Sequence, residues 1–333
     1  MSKHYHIYGI GAALVDTEIT LEDQDLIAMA VAKGVMTLVD EARQHQLMRH
    51  LEEHLVASHR ASGGSGANTI MAAAHFGCRN FYSCKVADDD NGHFFLDDIK
   101  AAGVDYAQTG QLPAGITGKC LVMITPDAER TMNTFLGISE TLSVNELNPE
   151  AIAAAEYAYI EGYLVTSPTG RAAAIELRRQ AEAAGTRTAL SLSDPAMVQF
   201  FRDGLMEMIG EGVDLLFCNR DEALGFTQTH HLEDAVASLK KISRRFAITC
   251  GSEGALVYDG EQLLKIAPHK VKAVDTNGAG DMFAGAFLYA ITHDYSYQQA
   301  GDFAALAAAR VVSQFGPRLN AQEHQELKAA YLK

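Results

Sequence analysis

Short apolar runs alternate with longer amphipathic stretches along most of this chain. Residues 5–10 read as a first strand ending at Gly9-Ile10-Gly11. From about residue 143 the rhythm is regular. Strands at 157–161, 188–193, 214–218 and 246–250 are separated by helices at 170–184, 198–209 and 232–242. That alternation implies a parallel sheet with helices on both faces. A short antiparallel pair follows at 255–257 and 263–266, then helices at 282–289, 304–313 and 322–332.

The N-terminal third is less regular. Residues 31–38 suggest a short strand and 40–56 a charged amphipathic helix, so 17–60 reads as an insertion. A glycine turn, Ser62-Gly63-Gly64-Ser65-Gly66-Ala67-Asn68, leads into an apolar helix at 69–76. A strand at 81–86 and a helix at 94–102 come next. Residues 118–125 and 131–136 predict a β-hairpin around Pro126-Asp127-Ala128-Glu129. No linker rich in Pro, Gly or Ser divides the 333 residues, so one α/β domain with a small appendage is expected.

Composition narrows the partners. A formal net charge of −15 disfavours nucleic-acid backbones and anionic membrane surfaces. No stretch approaches the ~20 apolar residues of a membrane helix. The N-terminus reads as a strand and not as a signal peptide. Five scattered cysteines without a CxxC pair fit free thiols in a reducing cytoplasm.

The densest chemistry lies at Asp275-Thr276-Asn277-Gly278-Ala279-Gly280-Asp281, directly before the apolar run 282–289. A glycine turn opening into a helix aims several N–H groups at one spot, where the helix dipole adds positive charge. Such a turn suits a phosphate. Asp281 beside it is suited to take a proton from a hydroxyl attacking a phosphoryl group. The plainer alternative is a capped helix start with a favourable acid.

Other polar residues fall at predicted strand ends: Asp16, Asp194, Asn219, Thr249 and Gly251. Ligands bind at that edge of open α/β sheets. Asn219 and Glu222 are either an oxygen pair for Mg²⁺, held through water, or an N-cap and a first-turn acid. Thr249-Cys250-Gly251-Ser252-Glu253-Gly254 is a nucleotide turn or a hairpin turn. Arg130 either reaches a substrate or pairs with a surface acid. His50-Leu51-Glu52-Glu53-His54 matches a zinc-peptidase spacing, but a solvated helix face is the expected use. Gly9-x-Gly11 lacks the third glycine of a dinucleotide fold, since Leu14 stands there.

In this order, these elements resemble the ribokinase-like (PfkB) family of small-molecule kinases over nearly the whole chain. Residues 275–281 match its Asp-Thr-x-Gly-Ala-Gly-Asp signature, and Gly63 to Asn68 look like its N-terminal glycine signature. Asn219 and Glu222 match Asn-x-x-Glu. Thr249, Gly251 and Gly254 match Thr-x-Gly-x-x-Gly. The resemblance implies a three-layer α/β/α fold, 1–333, with a mostly parallel sheet and a lid from about 12–60 and 108–138. It implies ATP as donor, Mg²⁺ at Asn219 and Glu222, and a monovalent-cation site, K⁺ among its candidates, at Asp275 near Gly316. Asp281 would be the base, and Gly278, Ala279 and Gly280 the anion hole. Asp16, Gly64, Asn68 and Arg130 would meet the substrate. Thr249, Gly251, Gly254 and Asn277 would meet ATP.

Asn277, the run Leu190-Ser191-Leu192-Ser193-Asp194-Pro195 and Glu129-Arg130-Thr131-Met132-Asn133 look like the adenosine-kinase branch. The expected substrate is therefore a ribose nucleoside, adenosine first, with a free sugar as the alternative. A non-catalytic nucleotide binder is a third reading. Ala12, where that branch usually has asparagine, and Arg220, where an acid is common, depart from the pattern. Monomer and homodimer are equally compatible with the sequence.

Overall fold

The computed structural model describes residues 3–52, 59–107, 110–127 and 129–332. Among the described residues, fourteen strands form two sheets. In chain order they are β1 (Tyr5–Ile10), β2 (Leu14–Thr20), β3 (Met36–Leu38), β4 (His59–Gly63), β5 (Asn80–Ser83), β6 (Val104–Asp105) and β7 (Gly118–Ile124). Then come β8 (Arg130–Phe135), β9 (Ala155–Ile160), β10 (Arg187–Ser191), β11 (Leu215–Asn219), β12 (Phe246–Thr249), β13 (Ala255–Tyr258) and β14 (Leu263–Ile266).

The large sheet has nine strands in the order β14-β13-β12-β11-β10-β9-β1-β5-β6. It is parallel from β12 to β6, and β13 and β14 add an antiparallel edge. Strand alternation sorts its side chains into two cores. Ile7, Tyr157, Tyr159, Leu215 and Phe217 face one layer, with the helices Ser65–Phe76, Ala279–Ile291 and Tyr297–Val312. Tyr8, Ile10, Ala158, Ile160, Leu216 and Cys218 face the other, with the helices Pro168–Ala184, Pro195–Ile209 and Leu232–Leu239. Both faces are covered, which is why these strands read as apolar runs.

The small sheet has the order β3-β8-β7-β2-β4. Ile19, Leu121 and Met123 pack on its outer face against Leu26, Met29, Leu47 and Leu51. Paired positions share a face, so Asp16 sits beside Ala61 and Cys120, and Cys120 beside Thr134. That inner face turns toward the C-terminal strand ends of the large sheet.

Two elements of the N-terminal third differ from expectation. Residues 14–20 and 59–63 are strands of the small sheet, which the sequence pattern did not mark. Asp16 therefore lies mid-strand in the small sheet, not past the end of β1. Its partner strands are far apart in sequence, so no local pattern marks them. The expected helix at 40–56 is present as Glu41–His50, and its last residues lie outside the described ones.

Candidate active site

One cleft of about 470 Å³ separates the inner face of the small sheet from the large sheet's strand ends. The segment 275–281 forms one wall. Gly278 caps the helix Ala279–Ile291 in the left-handed region, at φ +72°. A side chain there would collide with the Pro317 carbonyl, so both the conformation and the space require glycine. At Gly280 an added Cβ would meet no atom within 4 Å, which leaves open space above the helix N-terminus. A helix N-terminus opening on such space is the geometry of an anion hole, although Ala279 N also lies 3.4 Å from the Thr276 carbonyl.

Asp281 stands on the first turn of this helix. Its Oδ1 accepts a hydrogen bond from Ser65 Oγ at 2.6 Å, and its Oδ2 accepts one from Asn68 Nδ2 at 3.1 Å. Both donors come from the helix Ser65–Phe76, so the two glycine turns converge on one carboxylate. Burial raises the Asp281 pKa, while Ser65, Asn68 and the charge of Arg130 oppose the rise.

Asp275 is fully buried and organises the turn. Its carboxylate accepts from Asn277 N at 2.8 Å and from Gly316 N at 3.0 Å. Arg130, reaching across from β8, places Nε 3.3 Å from Asp275 and donates from Nη1 to Asn277 Oδ1 at 2.9 Å. The alternative of a surface ion pair for Arg130 is thus excluded, because its side chain is only 18% exposed and its partner is buried.

Asp16 is buried on the opposite wall. Burial and the nearby charge of Glu18 push its pKa up to about 7. Gly63 lies directly against this carboxylate and has no room for a Cβ. Gly64, at φ +94°, lies as closely against the Ala12 carbonyl. Leu14, Met36, Leu38, Met132 and Leu136 give the same wall an apolar surface.

A family model for the pfkB family carbohydrate kinases matches residues 35–324. The chain belongs to this family. The adenosine kinase of Schizophyllum commune is 27% identical over 344 residues, covering 94% of this chain and 96% of that protein. The solved structure of the adenosine kinase from Sinorhizobium meliloti is 34% identical with a TM-score of 0.91, covering 98% of this chain and 99% of that one. A probable sugar kinase from Rhizobium etli is 32% identical, also with a TM-score of 0.91, covering 99% of this chain and 100% of that one. The protein is thus a small-molecule kinase of the PfkB family with a ribokinase-like α/β fold.

In this PfkB cleft most residues singled out by sequence converge. Asp16, Gly64, Asn68, Arg130, Asn219, Glu222, Thr249, Gly251 and 277–281 all line it. Gly254 does not. At φ +91° it packs against the Ile266 carbonyl, and its own carbonyl accepts from Cys250 N at 2.8 Å. It shapes the β12–β13 turn, which fits the hairpin alternative. Asn277 contacts Arg130 of the small sheet, so its side chain already has a protein partner.

Asn219 and Glu222 form a reciprocal capping box. Asn219 N and Nδ2 donate to the Glu222 carboxylate at 3.0 and 2.7 Å, and Glu222 N donates to Asn219 Oδ1 at 2.8 Å. Burial, helped by the charges of Asp194, Asp221 and Asp281, pushes Glu222 up to about 8. A buried carboxylate among other carboxylates fits a nearby cation, even though the pair also caps a helix. The Asp275 carboxylate is occupied by Arg130 and two N–H groups, so its side chain lends the monovalent-cation expectation no support. Arg220 pairs with Glu253 at 2.7–2.8 Å beside the cleft. For the zinc spacing, His50 ends its helix and 53–54 lie outside the described residues. No cluster of metal-ligating side chains occurs among the described residues.

Sequence reasoning passed over Glu161. It ends the run of β9 and accepts from Gly66 N at 2.9 Å and Ala12 N at 3.2 Å. It thereby joins both N-terminal turns, and burial pushes it up to about 8. Its place at a strand end was the available signal. Ser65 and the apolar face of β3 carried no such mark.

Proposed function

We propose that this kinase transfers the γ-phosphoryl group of ATP to the 5′-type hydroxyl of a ribose nucleoside, with adenosine as the first candidate. One observation carries the substrate class. The wall that holds Asp16 also presents Leu14, Met36, Leu38, Met132 and Leu136 to the cleft. A sugar alone needs polar partners, whereas a flat apolar surface beside them suits a nucleobase. The similarity to proteins named adenosine kinases supports the same reading.

In this mechanism Asp16, the Gly64 backbone and Asn68 hold the ribose hydroxyls. Asp281, oriented by Ser65 and Asn68, accepts the proton of the attacking hydroxyl. A carboxylate with a raised pKa is a stronger base than a free one. The acceptor oxygen bonds to the γ-phosphorus as the bond to the bridging oxygen of ADP breaks. N–H groups of 278–280 and the Arg130 guanidinium face the charge that develops on the transferred group. Mg²⁺, held through water near Asn219 and Glu222, would neutralise phosphate charge when bound. Closure of the small sheet over the cleft would exclude water as a competing acceptor.

A substrate panel with ATP and Mg²⁺, read as ADP release, tests this. Adenosine turned over in preference to free sugars is the expected result. Preference for ribose or fructose would move the reading to a sugar kinase, for which Ala12 in place of an asparagine is the favouring observation. No turnover of any acceptor would point to a nucleotide-binding role.

A further inference from the structure

The loop between the last two helices touches more of the site than its sequence suggests. Gly316 N donates to Asp275, and the Pro317 carbonyl closes on Gly278, so this loop braces both ends of the anion turn. The next residue, Arg318, reaches the other side of the cleft. Its Nη1 donates to Ser62 Oγ at 3.1 Å on β4, and its Nη2 donates to Asp98 Oδ2 at 3.1 Å on the helix Asp90–Ala101. Ser62 also donates to Asp98, and the Met71 thioether lies against the guanidinium. The Arg318 side chain is 13% exposed. Ser62 immediately precedes Gly63, the residue packed on the Asp16 carboxylate. Three consecutive residues thus connect the phosphate wall of the cleft to the acceptor wall.

We propose that Arg318 is a positioning residue for acceptor binding, holding β4 in register against Asp16 through Ser62 and Asp98 and bringing a positive charge to that side of the cleft. The proposal rests on the reading of Asp16 as an acceptor-binding group. The charged or titratable groups that bear on Asp16 are Glu18 on its own strand, Arg130 on β8, Cys120 on β7, Asp281 on the opposing helix and Arg318. Glu18 and Asp281 oppose its ionisation. Arg318 and Arg130 favour it, and Arg130 is already paired with Asp275.

Two variants separate this role from a merely structural ion pair. Arg318→Gln removes the charge, while Asp98→Asn breaks the pair and leaves the charge in place. The expected result for Arg318→Gln is a rise of roughly tenfold in acceptor KM, a kcat reduced by less, and an unchanged KM for ATP. Its acidic limb in kcat/KM for the acceptor moves to higher pH, because Asp16 without its counter-charge protonates more readily. An E18Q background removes the neighbouring carboxyl from that titration. Asp98→Asn leaves the limb in place or moves it to lower pH, and Arg318→Lys restores part of the shift. A structural brace predicts that Arg318→Gln and Asp98→Asn behave alike, with both KM values altered and the limb unmoved, and that outcome overturns the proposal. Should Arg318→Gln fail to fold, Arg318→Lys decides it: the displaced charge should move the limb to higher pH by less than full removal would, and an unmoved limb there overturns the proposal. Asp16→Asn run alongside separates the two layers: an unchanged acceptor KM there refutes the acceptor reading itself. A raised KM in Asp16→Asn with none in Arg318→Gln refutes only the role of Arg318.

Discussion

The two sheets carry their chemistry in different places. The large sheet is buried on both faces, and its candidate functional groups sit beyond its strands: Asn219 at a strand end, Thr249 at another, and the turn 275–281 on a helix start. The small sheet has helices packed on its outer face. Its other face is itself a wall of the cleft, and Asp16, Cys120, Met132 and Thr134 act from mid-strand. A rigid edge suits groups that must keep fixed geometry toward a phosphate. A half-covered sheet suits groups that recognise one acceptor and could be exchanged for another without disturbing the core. On this view the large sheet sets the reaction and the small sheet selects the substrate.

The largest effect should come from the large-sheet side. Asp281→Asn keeps a side chain that Ser65 and Asn68 can still orient, but it removes the proposed base. We expect kcat to fall by about 10³-fold or more while ATP affinity holds. Steady-state kinetics together with an ATP titration would measure both. Near-full activity in this variant would remove Asp281 from the chemistry and, with it, the division of labour between the sheets.

The same division explains what the sequence revealed. The anion turn was legible because glycine has no substitute at Gly278, where the backbone is left-handed and the Pro317 carbonyl is in contact. The strand–helix rhythm after residue 143 was legible because each parallel strand is a short apolar run closed by a helix. The small sheet was not. In β2, Leu14, Asp16 and Glu18 alternate with Val15, Thr17 and Ile19, so carboxylates on the inner face break the apolar run. Its neighbours β4 and β7 lie more than 40 residues away in sequence. Glu161 was missed for a related reason: it completes an apolar strand and becomes meaningful only once the Ala12 and Gly66 N–H groups are seen to converge on it. Gly254 shows that a glycine matching a motif also serves its own turn.

A smaller effect should come from the small sheet. Leu38 lies on β3, lines the cleft and is 43% exposed, so a polar replacement costs the fold little. Leu38→Asp should raise the nucleoside KM by roughly tenfold through lost apolar contact with the base. The KM for ATP and kcat should stay within about twofold of the parent. Phosphorylation of a free sugar, if detectable at all, should be unaffected, which makes the ratio of the two acceptors the sharpest readout. A fall in kcat with the nucleoside KM unchanged would mean that the small sheet takes part in the reaction itself.

The smallest effect concerns stability, and it bears on the cation expected at the large-sheet edge. Glu222 is held at about 8 in the folded chain by burial and by Asp194, Asp221 and Asp281, against roughly 4.3 when unfolded. Between those values the folded chain keeps a proton that the unfolded chain releases. The stability contributed by the neutral form is complete below the unfolded value and is lost as pH rises through about 8. Asp16, Glu18 and Glu161 act in the same direction, so the melting temperature should fall from pH 6 toward pH 8.5 in the absence of ligands. Glu222→Gln should flatten this fall without abolishing it, since other raised carboxyls remain. Mg²⁺ should flatten it in the parent protein, by favouring the ionised carboxylate, and have little further effect in Glu222→Gln. Thermal melts at the two pH values, with and without Mg²⁺, give the comparison. Equal slopes in parent and variant would mean that Glu222 is an ordinary helix cap. A flattened slope insensitive to Mg²⁺ would keep the buried carboxyl and move the cation elsewhere in the cleft.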